Sequence, residues 1–263
     1  MDTIFVDHKL DIGGGQHLFL DGNSKITAGN GTFAEPVANA FSLPSGKDGA
    51  CPYATPACLA SCYTLGLKKH APALAEKFSH NERVMREILA EENDEQWLAS
   101  LEVIAQYAQS NCSAGFRWHV SGDVFSLDYA DWIAQVCKAA PDVPFWIYTR
   151  SFPYLEPLVG IPNLVVNLSA DRDNWIQALE ASMAHGWLRL CYMSTQGEVP
   201  PLLPSDVIFP DYSLRGRDLD DPTTSPWWQG LTQIQRRSVC PPDMFGQSEK
   251  LRCGPCKKCM VNP

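Results

Sequence analysis

No stretch of this 263-residue chain stays apolar over the roughly twenty residues that a membrane-spanning helix needs, so no integral-membrane protein is expected. No apolar signal segment follows Met1 either. The opening MDTIFVDHKLDIGGG is acidic and broken by glycines, which points to a cytoplasmic protein. Positive charge is scarce: the net charge of −9 excludes broad, nonspecific adhesion to nucleic acid. Internal repeats and low-complexity tracts are missing too, and the Pro-rich stretch 199–226 reads as a long irregular excursion rather than a linker between domains.

What the chain does have is enough apolar content, 45% of 263 residues, for one large α/β domain with appendages. It also has ten cysteines, seven of them in two tight groups: Cys51, Cys58 and Cys62 (C-x6-C-x3-C), and Cys240, Cys253, Cys256 and Cys259 (C-x12-C-x2-C-x2-C). Three thiolates leave one iron of a four-iron cluster open for chemistry, whereas four close a site for structure or electron relay. The competing readings are a secreted disulfide framework and zinc. A reducing compartment disfavours the first. Zinc remains open at the C-terminal four, where Gly254 in CGPCKKC allows close backbone approach; at the N-terminal three it needs a fourth ligand such as His70 or His80.

Residues 1–50, rich in Gly, Asn and Ser, read as a lead-in or cap with a short alternating stretch, HLFLDG, that fits a hairpin. In CPYATPACLASCYTLG, Cys51 is expected on a loop, and Cys58 and Cys62 on one helical face. Residues 71–109 carry Val84, Ile88, Leu98, Leu101, Ile104 and Ala105 at helical spacings, with Glu91, Glu92, Asp94 and Glu95 between two helices. From residue 115 the texture changes to repeated βα units. FRWHVSG, PFWIYTR, NLVVNLSAD, WLRLCYMS and DVIFPD read as strands; LDYADWIAQVCKAA and DNWIQALEASMAHG read as helices. The expected fold is therefore α/β: a partial (β/α) barrel of parallel strands over 51–235, an N-terminal cap, and a Cys-rich metal-binding tail over 236–263.

The strand ends collect polar residues that would face one mouth: Ser121, Gly122 and Asp123, then Tyr148 and Arg150, then Asn167 and Ser169. A carboxylate after a glycine suits an ammonium group, an arginine fork suits a carboxylate, and Asn or Ser suits ribose hydroxyls. Together these are the groups of S-adenosylmethionine. The plainer reading has Asp123 capping the next helix and Arg150 pairing with Asp123 or Asp171; His119, beside Arg117, fits a hydrogen-bonded core histidine. The tail from Arg236 to Pro263 holds six Lys or Arg against two acids, which either meets phosphates or offsets thiolate charge.

The segments FSLP…CPYATPACLASCY, FRWHVSGDVFSLDYADWI, FWIYTRS and the Cys-rich tail resemble the phage and plasmid family called gene product 88, over roughly residues 40–260, and through it radical S-adenosylmethionine enzymes. The usual cluster spacing of those enzymes, C-x3-C-x2-C, is absent here. The resemblance implies a [4Fe–4S] cluster with an open iron on Cys51, Cys58 and Cys62 that chelates S-adenosylmethionine, and a second [4Fe–4S] cluster or zinc at the C-terminal cysteines. It also implies an external electron donor and a 5′-deoxyadenosyl radical that abstracts hydrogen from substrate. Tyr63 would flank the adenine; Tyr148, Tyr192 or Cys191 would relay a hydrogen. A hypermodified pyrimidine in phage DNA is the first candidate substrate, which would place the protein in the host cytoplasm. Alternative functions are a metal-stapled nucleic-acid-binding module using Trp227 and Trp228 as stacking platforms, and a metal-dependent transferase or hydrolase using His119 and Asp123.

Overall fold

The computed structural model describes residues 8–22, 39–90, 94–112, 115–195, 198–203, 206–210, 222–245 and 253–262. Strands β1 (His8–Asp11) and β2 (His17–Leu20) form an antiparallel hairpin, as the alternation of HLFL requires, with Leu18 and Leu20 turned into the core. Six parallel strands then make one sheet in sequential order: β3 (Ala40–Phe41), β4 (Phe116–Trp118), β5 (Phe145–Thr149), β6 (Leu164–Ala170), β7 (Arg189–Met193) and β8 (Val207–Phe209). Among the described residues β3 and β8 are not paired with one another, so the sheet is open and no barrel closes.

The helices are α1 (Pro56–Ser61), α2 (Leu67–His70), α3 (Pro72–Ala90), α4 (Asp94–Asn111), α5 (Leu127–Ala139), α6 (Trp175–Ala184), and four short ones, α7 (Pro226–Gly230), α8 (Gln233–Ser238), α9 (Pro241–Phe245) and α10 (Cys253–Cys256). Helices α3 and α4 carry the expected apolar positions Val84, Ile88, Leu101, Ile104 and Ala105 inward; Leu98 is exposed instead. Glu91 and Glu92 lie outside the described residues.

Strand residues alternate between two faces. Phe116, Trp118, Phe145, Ile147, Val166, Leu168, Leu190 and Tyr192 share one core with α3, α4 and α5, where Trp132 Nε1 donates to Ser100 Oγ at 3.0 Å. The alternate residues Arg117, Trp146, Tyr148, Ser169, Cys191, Met193 and Phe209 face a cavity instead. The C-terminal segment returns across that second face. Met260 packs on Trp146 and Val165, Asn167 Nδ2 donates to the Cys259 carbonyl at 3.0 Å, and Arg189 Nη2 donates to the Val261 carbonyl at 2.7 Å. Residues Cys259 to Val261 are thus packed and hydrogen-bonded against the sheet.

No helix among the described residues is long and apolar enough to cross a membrane.

Candidate functional site

Both cysteine groups line one cavity of about 530 Å³, at the mouth where ligands of parallel sheets bind. Cys51, Cys58 and Cys62 form one wall, and Cys240, Cys253, Cys256 and Cys259 another. All ten cysteines are free, as a metal-binding reading requires and a disulfide framework does not. Cys112 and Cys137 sit in the helical core, away from the cavity.

The N-terminal wall is positioned by the loop after β6. Thr55 caps α1 by accepting from Cys58 N at 3.0 Å, and its hydroxyl donates to Asp171 Oδ2 at 2.6 Å. Asp173 Oδ2 accepts from Ala57 N at 2.8 Å. Pro56 is pre-set for the first helical turn. The helix ends at Ser61, and Cys62 is its extended C-cap, so the expected sharing of one helical face by Cys58 and Cys62 does not hold. Burial pushes the thiols of Cys51 and Cys58 upward, at Cys51 with help from the Asp123 carboxylate. The histidines considered as zinc ligands are elsewhere: neither His70 nor His80 lines the cavity, and His80 stacks on His17 at 4.3 Å.

On the other wall, hydrogen bonds from the Cys191 thiol and the Tyr148 hydroxyl, with Arg189 and Arg117 nearby, hold Cys259 down at about 6. Cys191 itself is pushed well up by burial. Cys240 is fixed beside β8, its amide donating to the Ile208 carbonyl at 2.8 Å. Among the described residues, no group of three or more His, Cys, Asp or Glu side chains stands close enough to hold a single metal ion.

The polar residues expected at the strand ends divide. Ser121, Gly122, Asp123, Tyr148, Arg150, Ser169 and Tyr63 all line the cavity; Asn167 and Tyr192 do not. Tyr192 cannot face the same way as Cys191, because neighbours on a strand point oppositely, and its ring packs on Trp175 in the core. The Asn167 side chain is taken up by the Ile147 and Cys259 carbonyls and by Arg189. Asp123 accepts from Thr149 Oγ1 (2.6 Å), Val124 N (2.7 Å) and the backbone N–H of Arg150 (2.8 Å). Burial raises its carboxyl above the ordinary value. The Arg150 guanidinium pairs not with Asp123 but with Asp171, Nη2 to Oδ2 at 3.2 Å. Gly122, at φ +84°, cannot be replaced: a Cβ there would lie 2.6 Å from Leu43 Cβ.

Four buried polar atoms on this cavity's lining residues have no partner: Arg117 Nε, His119 Nδ1, Ser121 Oγ and Arg150 Nε. Buried polar groups are nearly always satisfied, and exceptions gathered at one cavity mark a ligand site. Arg117 was not among the expected binding residues, and His119 was named only for the metal-dependent transferase or hydrolase alternative. By contrast, the stacking platform drawn on Trp227 and Trp228 is not available. Trp227 is buried with Nε1 donating to Ser194 Oγ at 2.7 Å, and Trp228 is half-buried against Phe245 and Arg236.

The family model described as Gene product 88 matches residues 17–261, and the chain belongs to that family. Two relatives, each called "Gene 88 protein", come from Mycobacterium phage L5 and Mycobacterium phage D29. Each is 36% identical over 154 residues, a match covering 56% of this chain and 62% and 61% of the relatives, respectively. The matched region thus spans less than two thirds of their length. No solved structure matches the chain.

Proposed function

We propose that the chain is an iron–sulfur enzyme of the radical S-adenosylmethionine type, acting on a nucleotide-bound group, with a modified pyrimidine of phage DNA as first candidate and the host cytoplasm as its place of action. The observation that carries this is the convergence of both cysteine groups and four unpartnered polar atoms on a single cavity at one mouth of a parallel sheet. The sequential strand order is that of an unrolled (β/α) barrel, and we read the open sheet as a partial one.

The donor set fits a cluster better than a lone zinc. Three thiols line the cavity with neither His70 nor His80 beside them as a fourth zinc ligand, whereas a four-iron cluster on three thiolates keeps one iron open. When bound, such a cluster with S-adenosylmethionine would supply a reducing electron and a carbon radical able to take an unactivated hydrogen. Cys51, Cys58 and Cys62 would hold it, and the thiols would have to shed protons to do so. Arg150, oriented by Asp171, lines the cavity with a buried, unpartnered Nε and would face the carboxylate of the cofactor. Asp123 sets the Arg150 backbone and is a positioning residue. Ser169 and Tyr63 offer a hydroxyl and a ring at the rim, and Tyr148 and Cys191 remain candidates for hydrogen relay. The C-terminal cysteines would hold a second cluster or zinc.

Anaerobic reconstitution with iron and sulfide, followed by assay of 5′-deoxyadenosine from S-adenosylmethionine under a low-potential reductant, tests the reading. Formation of that product, lost in Cys58→Ala, supports it. A protein that takes up no iron overturns it.

A further inference from the structure

The unpartnered donors of β4 and of the bend after it form a row in sequence. Arg117 lies in β4, while His119, at φ +59°, and Ser121 lie in the bend that follows it, and all three line the cavity. His119 Nε2 lies 2.9 Å from the Tyr129 hydroxyl, and both side chains are buried. With Tyr129 assigned as the donor to Nε2, the imidazole proton sits on Nδ1, which has no partner in the protein. Ser121 Oγ adds a hydroxyl and Arg117 Nε a charged N–H, both buried without a partner.

Beside this row stands an aromatic ring held in place. The Tyr63 hydroxyl donates to the Val120 carbonyl at 3.0 Å, yet its ring remains 55% exposed while lining the cavity. An exposed aromatic pinned at a cavity rim is a stacking platform for a flat heterocycle. The charge on Arg117 repels a sulfonium and attracts an anion, so the row suits a ligand other than S-adenosylmethionine. Asp243 lies on the same side and tempers that charge.

We propose that Arg117, His119 and Ser121, with Tyr63, form the subsite for a nucleoside monophosphate: the phosphoryl group at Arg117, neutral oxygen acceptors at His119 and Ser121, and the base on Tyr63. The inference deepens the reading above, in which this cavity binds a nucleotide-bound substrate, and moves Ser121 from cofactor to substrate. Its test does not need turnover. Uridine 5′-monophosphate, uridine and ribose 5-phosphate are titrated calorimetrically into the full chain, before and after reconstitution with iron and sulfide. The monophosphate binds about tenfold or more tighter than either fragment. Ser121→Ala weakens it about five- to tenfold while leaving the melting temperature unchanged, because that hydroxyl bonds nothing in the protein. His119→Asn retains binding, since Asn keeps an N–H donor and tolerates φ +59°. Asp243→Asn tightens it. Equal affinity for uridine or ribose 5-phosphate, or an unchanged affinity in Ser121→Ala, overturns the proposal. Selective nucleotide binding by a chain that builds no cluster would uphold the subsite and sink the radical reading alone.

Discussion

Removing the Asp171 carboxylate tests how the cysteine wall is held. Asp171 is fully buried and receives Thr55 Oγ1 at 2.6 Å, Arg150 Nη2 at 3.2 Å and its own loop's Asp173 N at 2.9 Å. Arg150 is only 14% exposed, so deleting its partner leaves a charge with little water to replace it. Breaking such a pair costs about 3–5 kcal/mol, and Asp171→Ala should lose that much in a denaturant titration at pH 7. Asp171→Asn keeps one accepting oxygen for Thr55 or Arg150 but sets an amide against another donor; about 2–3 kcal/mol is expected. The loss should be local as well as global. Thr55 caps the helix that carries Cys58, and a hydrogen bond to a carboxylate is worth about 1.5–3 kcal/mol, so Cys58 should alkylate about tenfold or more faster in Asp171→Ala. Cys112, buried in the helical core, serves as the control. Mass spectrometry of the pulse-labelled protein reads both. If stability falls but Cys58 labels at its original rate, Asp171 supports the fold without positioning the cysteine helix, and this part of the account is wrong.

Three further outcomes are expected. Asn167→Leu removes two donated bonds and the acceptor for Arg189 Nη1. It should cost about 2–4 kcal/mol and speed proteolysis within 253–262; an unchanged digestion rate would show that Met260 packing alone docks the tail. Arg150→Lys should weaken S-adenosylmethionine binding about ten- to a hundredfold with the cluster's colour unchanged, because it keeps charge and loses the fork; equal affinity by equilibrium dialysis would restrict Arg150 to its Asp171 pair. Burial lifts Asp21 to about 7 and pushes His119 down to about 3. A raised carboxyl gives stability that is present below about pH 4 and lost as pH rises to about 7. A lowered histidine gives stability that is present above about pH 6.5 and lost as pH falls towards 3. The two oppose one another between about pH 4 and 6.5. In urea titrations Asp21→Asn should therefore lose stability on acidification more steeply than the parent, and His119→Asn should gain; parallel profiles for all three would refute the assignment.

Much of the fold was legible because its elements have clean periods. The apolar runs at 145–149, 164–170 and 189–193 are buried on both faces, as strands inside a parallel sheet must be. The two-residue strand Ala40–Phe41 was not legible, being too short for any period to declare itself. Which strand residues face the site followed from alternation, and ignoring it placed Tyr192 beside Cys191. The merging of two cysteine groups on one cavity lay beyond the sequence. It depends on residues nearly two hundred positions apart, joined through Asn167 and Arg189 to the returning tail. The unpartnered state of Arg117 Nε and His119 Nδ1 was hidden for a related reason, since an unsatisfied donor is visible only after every neighbour has been placed.

The central claim is that the wall of Cys51, Cys58 and Cys62 holds an iron–sulfur cluster. Iron and acid-labile sulfide per chain, measured after anaerobic purification and reconstitution alongside Cys58→Ala, test it most directly. The account predicts a brown protein with about four irons and four sulfides per cluster, and one cluster fewer in Cys58→Ala. A colourless protein carrying zinc, or an iron content that Cys58→Ala leaves unchanged, would contradict it.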